Sequence, residues 1–170
     1  MEKLVLIDGH SILNRAFYGV PNLTNSEGLH TNAVYGFLNI LFKVLDEEKA
    51  DYLAVAFDLK APTFRHKMFD AYKGTRKPMP EELHEQVPLM KEVLTAMGVP
   101  ILTKEGYEAD DILGTIAKRE QKDGYEVTIL SGDRDLLQLS DTHIRICLPK
   151  TSRGTTEVHN YYPEDVIREY

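Results

Sequence analysis

Residues 106–111 read Gly106-Tyr107-Glu108-Ala109-Asp110-Asp111, placing three carboxylates within four residues. They follow the apolar stretch Val99, Pro100, Ile101 and Leu102 and precede Ile112, Leu113, Ile116 and Ala117, whose spacing marks one helix face. The acids therefore stand where a strand hands over to a helix. A single acid there is ordinary, because a carboxylate in a first helical turn accepts from unbonded N–H groups and complements the dipole, a gain of about 1 kcal/mol. Three are harder to accommodate. Like charges about 4 Å apart repel by roughly 4 kcal/mol at an effective dielectric near ~20, which exceeds what capping returns. A divalent cation between them turns that repulsion into attraction.

The same pattern occurs three more times. Asp8 ends the apolar run Leu4, Val5, Leu6 and Ile7, and Asp58 ends Leu53 to Phe57. Asp133 and Asp135, in Ser131-Gly132-Asp133-Arg134-Asp135, follow Val127 to Leu130. Strand-like runs alternating with helical periods predict an α/β fold with a mostly parallel sheet and helices on both faces, and such sheets carry their sites outside the carboxyl ends of the strands. Asp8, Asp58, Glu108, Asp110, Asp111, Asp133 and Asp135 then converge on one pocket, although Asp8-Gly9 and Gly132-Asp133 each also read as simple turns. Oxygen ligands without Cys or His select hard cations, so Mg2+ or Mn2+ is expected. Two such ions about 4 Å apart would activate a water and neutralise charge on a phosphate, the two-metal form of phosphodiester hydrolysis.

A pocket of acids repels a phosphate backbone, and one segment of the chain compensates. Between residues 60 and 77, Lys60, Arg65, Lys67, Lys73, Arg76 and Lys77 face only Asp70, with Phe64, Phe69 and Tyr72 interleaved. Positive groups hold phosphates and aromatic faces stack bases, although a solvated surface loop has the same composition. Lys73 and Arg76 are three apart and would share a helix face near Tyr72, making them the expected phosphate clamp. Arg15 falls about two turns after Asp8 and either reaches the same mouth or forms a surface ion pair. His10 and His66 lie near the site without an assigned role.

The positioning elements follow from periodicity. Ser11 is expected to cap a short helix through Ile12, Leu13 and Ala16; Val34, Phe37, Leu38, Leu41 and Leu45 continue a second helix to about Lys49. Glu81 and Glu82 suit a first turn, and Pro88 kinks or restarts the helix that runs to Gly98. The helix after the acidic trio ends near Gly124, and a short one is expected through Leu136, Leu137 and Leu139. Ile144, Ile146 and Leu148, alternating with Arg145 and Cys147, predict an edge strand, with Gly154 turning residues 157–159 back beside it. A last helix opens after Tyr162.

Composition sets the limits. One hundred and seventy residues suffice for a single domain, and 20 Lys and Arg against 27 Asp and Glu give −7, which excludes a generally basic coat but not a local patch. The lone Cys147 cannot form an internal disulfide, and six scattered histidines make no zinc spacing. No signal segment or membrane-length apolar run is visible, so a cytoplasmic protein is expected.

In these residues the chain resembles the five-prime nuclease family, in particular the N-terminal 5′-3′ exonuclease domain of bacterial DNA polymerase I. The matching segments are Leu6-Ile7-Asp8-Gly9 with Arg15-Ala16, Phe57-Asp58 with Thr63-Phe64-Arg65, Tyr72-Lys73 with Arg76, Gly106 to Asp111, and Ser131 to Asp135. They run in family order over essentially the whole chain. The resemblance implies a PIN-like, resolvase-like domain with a helical arch at about residues 60–98. It also implies a flap endonuclease that removes five-prime flaps and RNA primers from DNA in replication and repair, using two Mg2+ or Mn2+ ions. By the same resemblance the seven acids hold metal, and Tyr72, Lys73 and Arg76 lie in the arch that grips the five-prime strand; Arg15 and Arg65 join them as expected DNA contacts.

The family pattern continues beyond the region equivalent to Tyr170 into further metal-site aspartates and a helix-hairpin-helix. Residues 1–170 alone are therefore expected to fold but to cleave weakly, with an incomplete second metal site, and a covalent continuation into a polymerase is possible. Other readings stay open. A PIN-type ribonuclease fits the acids without needing the basic insert. A non-catalytic DNA-binding module fits the basic segment, and a receiver-type switch also gathers acids around Mg2+ but lacks a convincing lysine at Lys150.

Overall fold

A computed structural model describes residues 1–58, 79–152 and 155–169. The basic segment, with Arg65, Tyr72, Lys73 and Arg76, lies outside the described residues, as do His66 and Gly154. One six-stranded sheet organises the rest, in the order β3-β2-β1-β4-β5-β6. Its strands are β1 (Lys3–Asp8), β2 (Tyr52–Ala56), β3 (Ile101–Leu102), β4 (Glu126–Leu130), β5 (Ile144–Ser152) and β6 (Thr155–Tyr161). All neighbours pair in parallel except β5 with β6, which run antiparallel.

The helices are α1 (Gly9–Gly19), α2 (Asn32–Glu48), α3 (Glu81–His84), α4 (Gln86–Ala96), α5 (Ala109–Lys122) and α6 (Pro163–Glu169), with a 3-10 helix at Arg134–Leu139. They cover both faces. On one side Val5, Ile7, Val55, Phe57, Leu130 and Cys147 pack with α1, α2 and α4; on the other Leu6, Ala56, Val127, Ile129 and Ile146 pack with α5 and the 3-10 helix. Strands buried on both faces explain why their sequences are continuous apolar runs rather than alternating ones. Each fully buried Leu, Ile or Phe contributes roughly 1.5–3 kcal/mol of transfer free energy, so these two layers hold the strand ends in place.

Three local expectations change. The cap of α1 is Asp8, not Ser11: the helix starts one residue after β1, so the strand's last side chain accepts from Ser11 N itself. β5 is interior rather than an edge, since it pairs with both β4 and β6, and its Cys147 is fully buried. The polar pattern there misleads because Arg145 is largely covered and ion-paired to Glu48 of α2. Pro88 is the third residue of α4, a first-turn position that loses no helical hydrogen bond, and the break with α3 falls at Glu85.

Candidate active site

The carboxyl ends of β1, β2 and β4 and the N-terminus of α5 meet at one end of the sheet. Two glycines allow the approach. A Cβ on Gly9 would stand 2.6 Å from the Phe57 ring, so only glycine lets α1 begin against β2's end. Gly106 takes φ 85° in the turn that delivers Glu108 to the start of α5.

Asp8 is the buried centre, only 5% exposed. Its Oδ1 accepts from Ser11 N at 3.4 Å and its Oδ2 accepts the Ser131 hydroxyl at 3.0 Å. Burial, with the Asp110 and Asp58 charges adding to it, pushes the Asp8 carboxyl from 3.8 up to about 7, against the opposing pull of those two hydrogen bonds. Two acids from separate segments thus add to the cost of ionising buried Asp8, a frustration that a cation or a proton relieves.

Asp58 spans two elements. Its Oδ1 accepts from Ala109 N at 2.6 Å, capping α5 from across the sheet. Its own N–H donates to His10 Nδ1 at 3.3 Å, and Oδ2 lies 3.8 Å from the same nitrogen. Accepting from the N–H uses the lone pair of Nδ1. The His10 ring stands edge-on to Phe57 at 5.2 Å between centroids.

Glu108, 6% exposed, is the N-cap residue of α5, and Asp111 Oδ2 accepts from Glu108 N at 3.0 Å. One oxygen of Asp111 therefore performs the capping that acids in a first turn ordinarily do. Glu108, Asp110, Asp111 and Asp135 line a cleft of about 440 Å³, bounded further along by Thr115, Lys118 and Gln138. Asp110 belongs to both groups, as an electrostatic neighbour of Asp8 and a wall of the cleft.

Asp133 is hydrogen-bonded towards both. Its Oδ1 accepts from Asp135 N at 2.9 Å, so it caps the 3-10 helix, and its N–H donates to Ser131 Oγ at 3.0 Å. Arg15 reaches inward, its Nη2 donating to Gly132 O at 3.5 Å, so the mouth of the site and not a surface ion pair is its place. Sequence reasoning left His10 without a role, gave Ser11 only a helix cap, and gave Ser131 no role. Ser11 Oγ accepts from Gly132 N at 2.7 Å and Ser131 is fully buried, so the two hydroxyls tie the ends of β1 and β4 together. The available signal was Ser131 itself, a small hydroxyl between the apolar run 127–130 and Gly132-Asp133.

The donor set is all oxygen, with the buried Asp8 held against its neighbours' charge, which fits a hard divalent cation. Among the described residues no three His, Cys, Asp or Glu side chains are already drawn into one ligating group. Binding an ion would therefore pull the Asp8, Asp58 and Asp110 carboxylates, or those lining the cleft, inward.

The family described as "5'-3' exonuclease, N-terminal resolvase-like domain" matches residues 3–170. DNA polymerase I of Bacillus caldotenax is 49% identical over 169 residues, covering 99% of this chain and 19% of that protein. DNA polymerase I of Bacillus subtilis (strain 168) is 48% identical, with 99% and 19% covered. The chain thus spans about a fifth of the length of the curated relatives it matches. Among solved structures, T5 5'-exonuclease with bound divalent zinc aligns with TM-score 0.73 at 23% identity, over 98% of this chain and 60% of that one. The catalytic core of Rad2 in complex with DNA aligns with TM-score 0.53 at 16% identity, covering 99% and 49%. At those identities the structures establish the shared fold, and the family match over nearly every residue establishes the kinship. The chain belongs to the 5′-3′ exonuclease family, as its N-terminal resolvase-like domain.

Proposed function

We propose that residues 1–170 form one divalent-metal-dependent 5′ nuclease domain, which hydrolyses DNA phosphodiesters at five-prime flaps, free five-prime ends and RNA primer junctions during replication and repair. One observation carries the reading: Asp8, buried and flanked by the charges of Asp110 and Asp58, has a carboxyl raised to about 7. A fold under no functional demand would place a neutral side chain there. The T5 5'-exonuclease crystallised with zinc and the T5 flap endonuclease crystallised with DNA and metal ions have this fold and support the same reading.

Two Mg2+ or Mn2+ ions, when bound, would supply Lewis acidity and a lowered pKa for an attacking water. The chain's own residues do the rest. Asp8, Asp58 and Asp110 would hold one position and Glu108, Asp111, Asp133 and Asp135 the other. Ser131 and Ser11 fix the Asp8 carboxylate between β1 and β4. Arg15, held over Gly132, and the basic residues Arg65, Lys73 and Arg76 with Tyr72 are the proposed grips on the five-prime strand; Lys73 and Arg76 are also the proposed catalytic cations beside the scissile phosphate. No helix among the described residues is long and apolar enough to cross a membrane. The proposed setting is a reducing cytoplasm and a longer polypeptide that also carries a polymerase.

A labelled five-prime flap duplex tests this. The expected result is weak, EDTA-sensitive cleavage with Mg2+ or Mn2+, lost in both Asp111→Asn and Lys73→Ala. Loss of flap binding in Lys73→Ala, with Asp111→Asn indifferent and no cleavage by wild type, would instead indicate a binding module. Preference for single-stranded RNA would indicate a PIN-type ribonuclease.

A further inference from the structure

The cleft beside the acids does not end where they do. Along α5, Asp111, Thr115 and Lys118 are spaced i, i+4, i+7 and so lie on one face, all lining the same cleft opposite Gln138. At 1.5 Å rise per residue, seven residues put Lys118 about 10 Å from Asp111 along the axis. Across that distance the wall changes from carboxylates to an ammonium and an amide.

We infer that Lys118, with Gln138 facing it, forms a second phosphate subsite that holds the substrate backbone two to three nucleotides from the bond being cut. This rests on the nuclease reading. Nucleic-acid strands rise about 3.4 Å per phosphate, so 10 Å corresponds to about three steps. Thr115 is not a donor here, since its hydroxyl proton is committed to Asp111 O at 2.8 Å. Lys118 is exposed, and its Nζ and the Gln138 amide N–H groups are the donors of a type that phosphate oxygens accept.

A structural role is the competing explanation. Lys118 does lie within reach of Asp141, whose carboxyl is held below its usual range first by Gln121, then by Thr142 N, and only afterwards by the Lys118 charge. Exposed pairs of that kind contribute little. A cation on the wall of an acid-lined cleft, about two helical turns along from Asp111, fits a polyanion passing both.

The test measures binding of a five-prime flap duplex by fluorescence anisotropy in Ca2+, across a range of salt, for wild type, Lys118→Ala, Lys118→Arg and Asp141→Asn. Mn2+ titration calorimetry is run alongside. The expected outcome is several-fold weaker binding in Lys118→Ala and a log–log salt slope smaller by about 1. Lys118→Arg should restore most of both, while Asp141→Asn and the Mn2+ isotherm stay unchanged. If wild type binds in an ion-dependent way but Lys118→Ala matches it in affinity and slope, the subsite is refuted and the nuclease reading survives. If wild type itself shows no ion-dependent flap binding, the nuclease reading fails first.

Discussion

Two of the buried polar clusters among the described residues are built on opposite terms. Gln86 and Asn32, 0% and 2% exposed, join α1, α2, α3 and α4. Gln86 Oε1 accepts from Ala33 N and Val34 N at 2.8 and 3.2 Å, and its Nε2 donates to Asn32 Oδ1 and Glu82 O, both at 2.9 Å. Asn32 Nδ2 donates to Phe17 O and Val20 O at 3.0 and 3.2 Å. These amides are neutral and well supplied with partners, so their burial costs little and holds the N-terminus of α2. Around Asp8 the acids Asp110 and Asp58 carry charge of one sign and, with burial, oppose its ionisation. A cluster that serves stability is saturated; a cluster kept in spite of its electrostatic cost points to a ligand.

Breaking the first cluster should give the largest loss of stability. Gln86→Leu leaves the Ala33 and Val34 N–H groups and the Asn32 amide without their partner; about 1 kcal/mol per lost bond predicts destabilisation of about 3–4 kcal/mol by denaturant unfolding. Mn2+ affinity of the folded fraction should not move. The second cluster should respond with the opposite signs. Asp110→Asn removes a like charge from beside Asp8, so the metal-free protein should melt higher than wild type, while cleavage falls about 100-fold or more. If both substitutions lower the melting temperature, the distinction between the clusters is wrong.

Some of this was legible from residue order and some was not. Parallel strands buried on both faces appear as unbroken apolar runs, so the acids that end them, Asp8 and Asp58, stand out against their neighbours. The acids of α5 were equally visible, but which oxygen caps the helix and which faces the cleft depends on Asp58 arriving from another strand, beyond any local pattern. Asp133 illustrates the limit in the other direction. Its spacing from Asp135 fits a ligand pair, and residue order alone does not show that one of its oxygens also closes its own turn. Arg145 hid the interior position of β5, because its charge is matched by Glu48, distant in sequence. Ser131 and His10 carry no periodic signal, and their roles exist only once β1, β2 and β4 lie side by side.

The electrostatic strain at Asp8 has a pH signature. A carboxyl raised from 3.8 to about 7 on folding keeps its proton longer in the folded state than in the unfolded one. Its stabilising effect is complete below about pH 4 and is lost as pH rises to about 7, a change of at most about 4 kcal/mol. The most direct measurement is thermal unfolding of wild type and Asp8→Asn at pH 5 and pH 8, each in EDTA and in Mn2+. In EDTA, wild type should fall relative to Asp8→Asn between pH 5 and pH 8, by on the order of 10 °C at most. Mn2+ should recover that deficit in wild type alone. A wild type that tracks Asp8→Asn at both pH values and gains nothing from Mn2+ would contradict the claim that these carboxylates are held together for a cation.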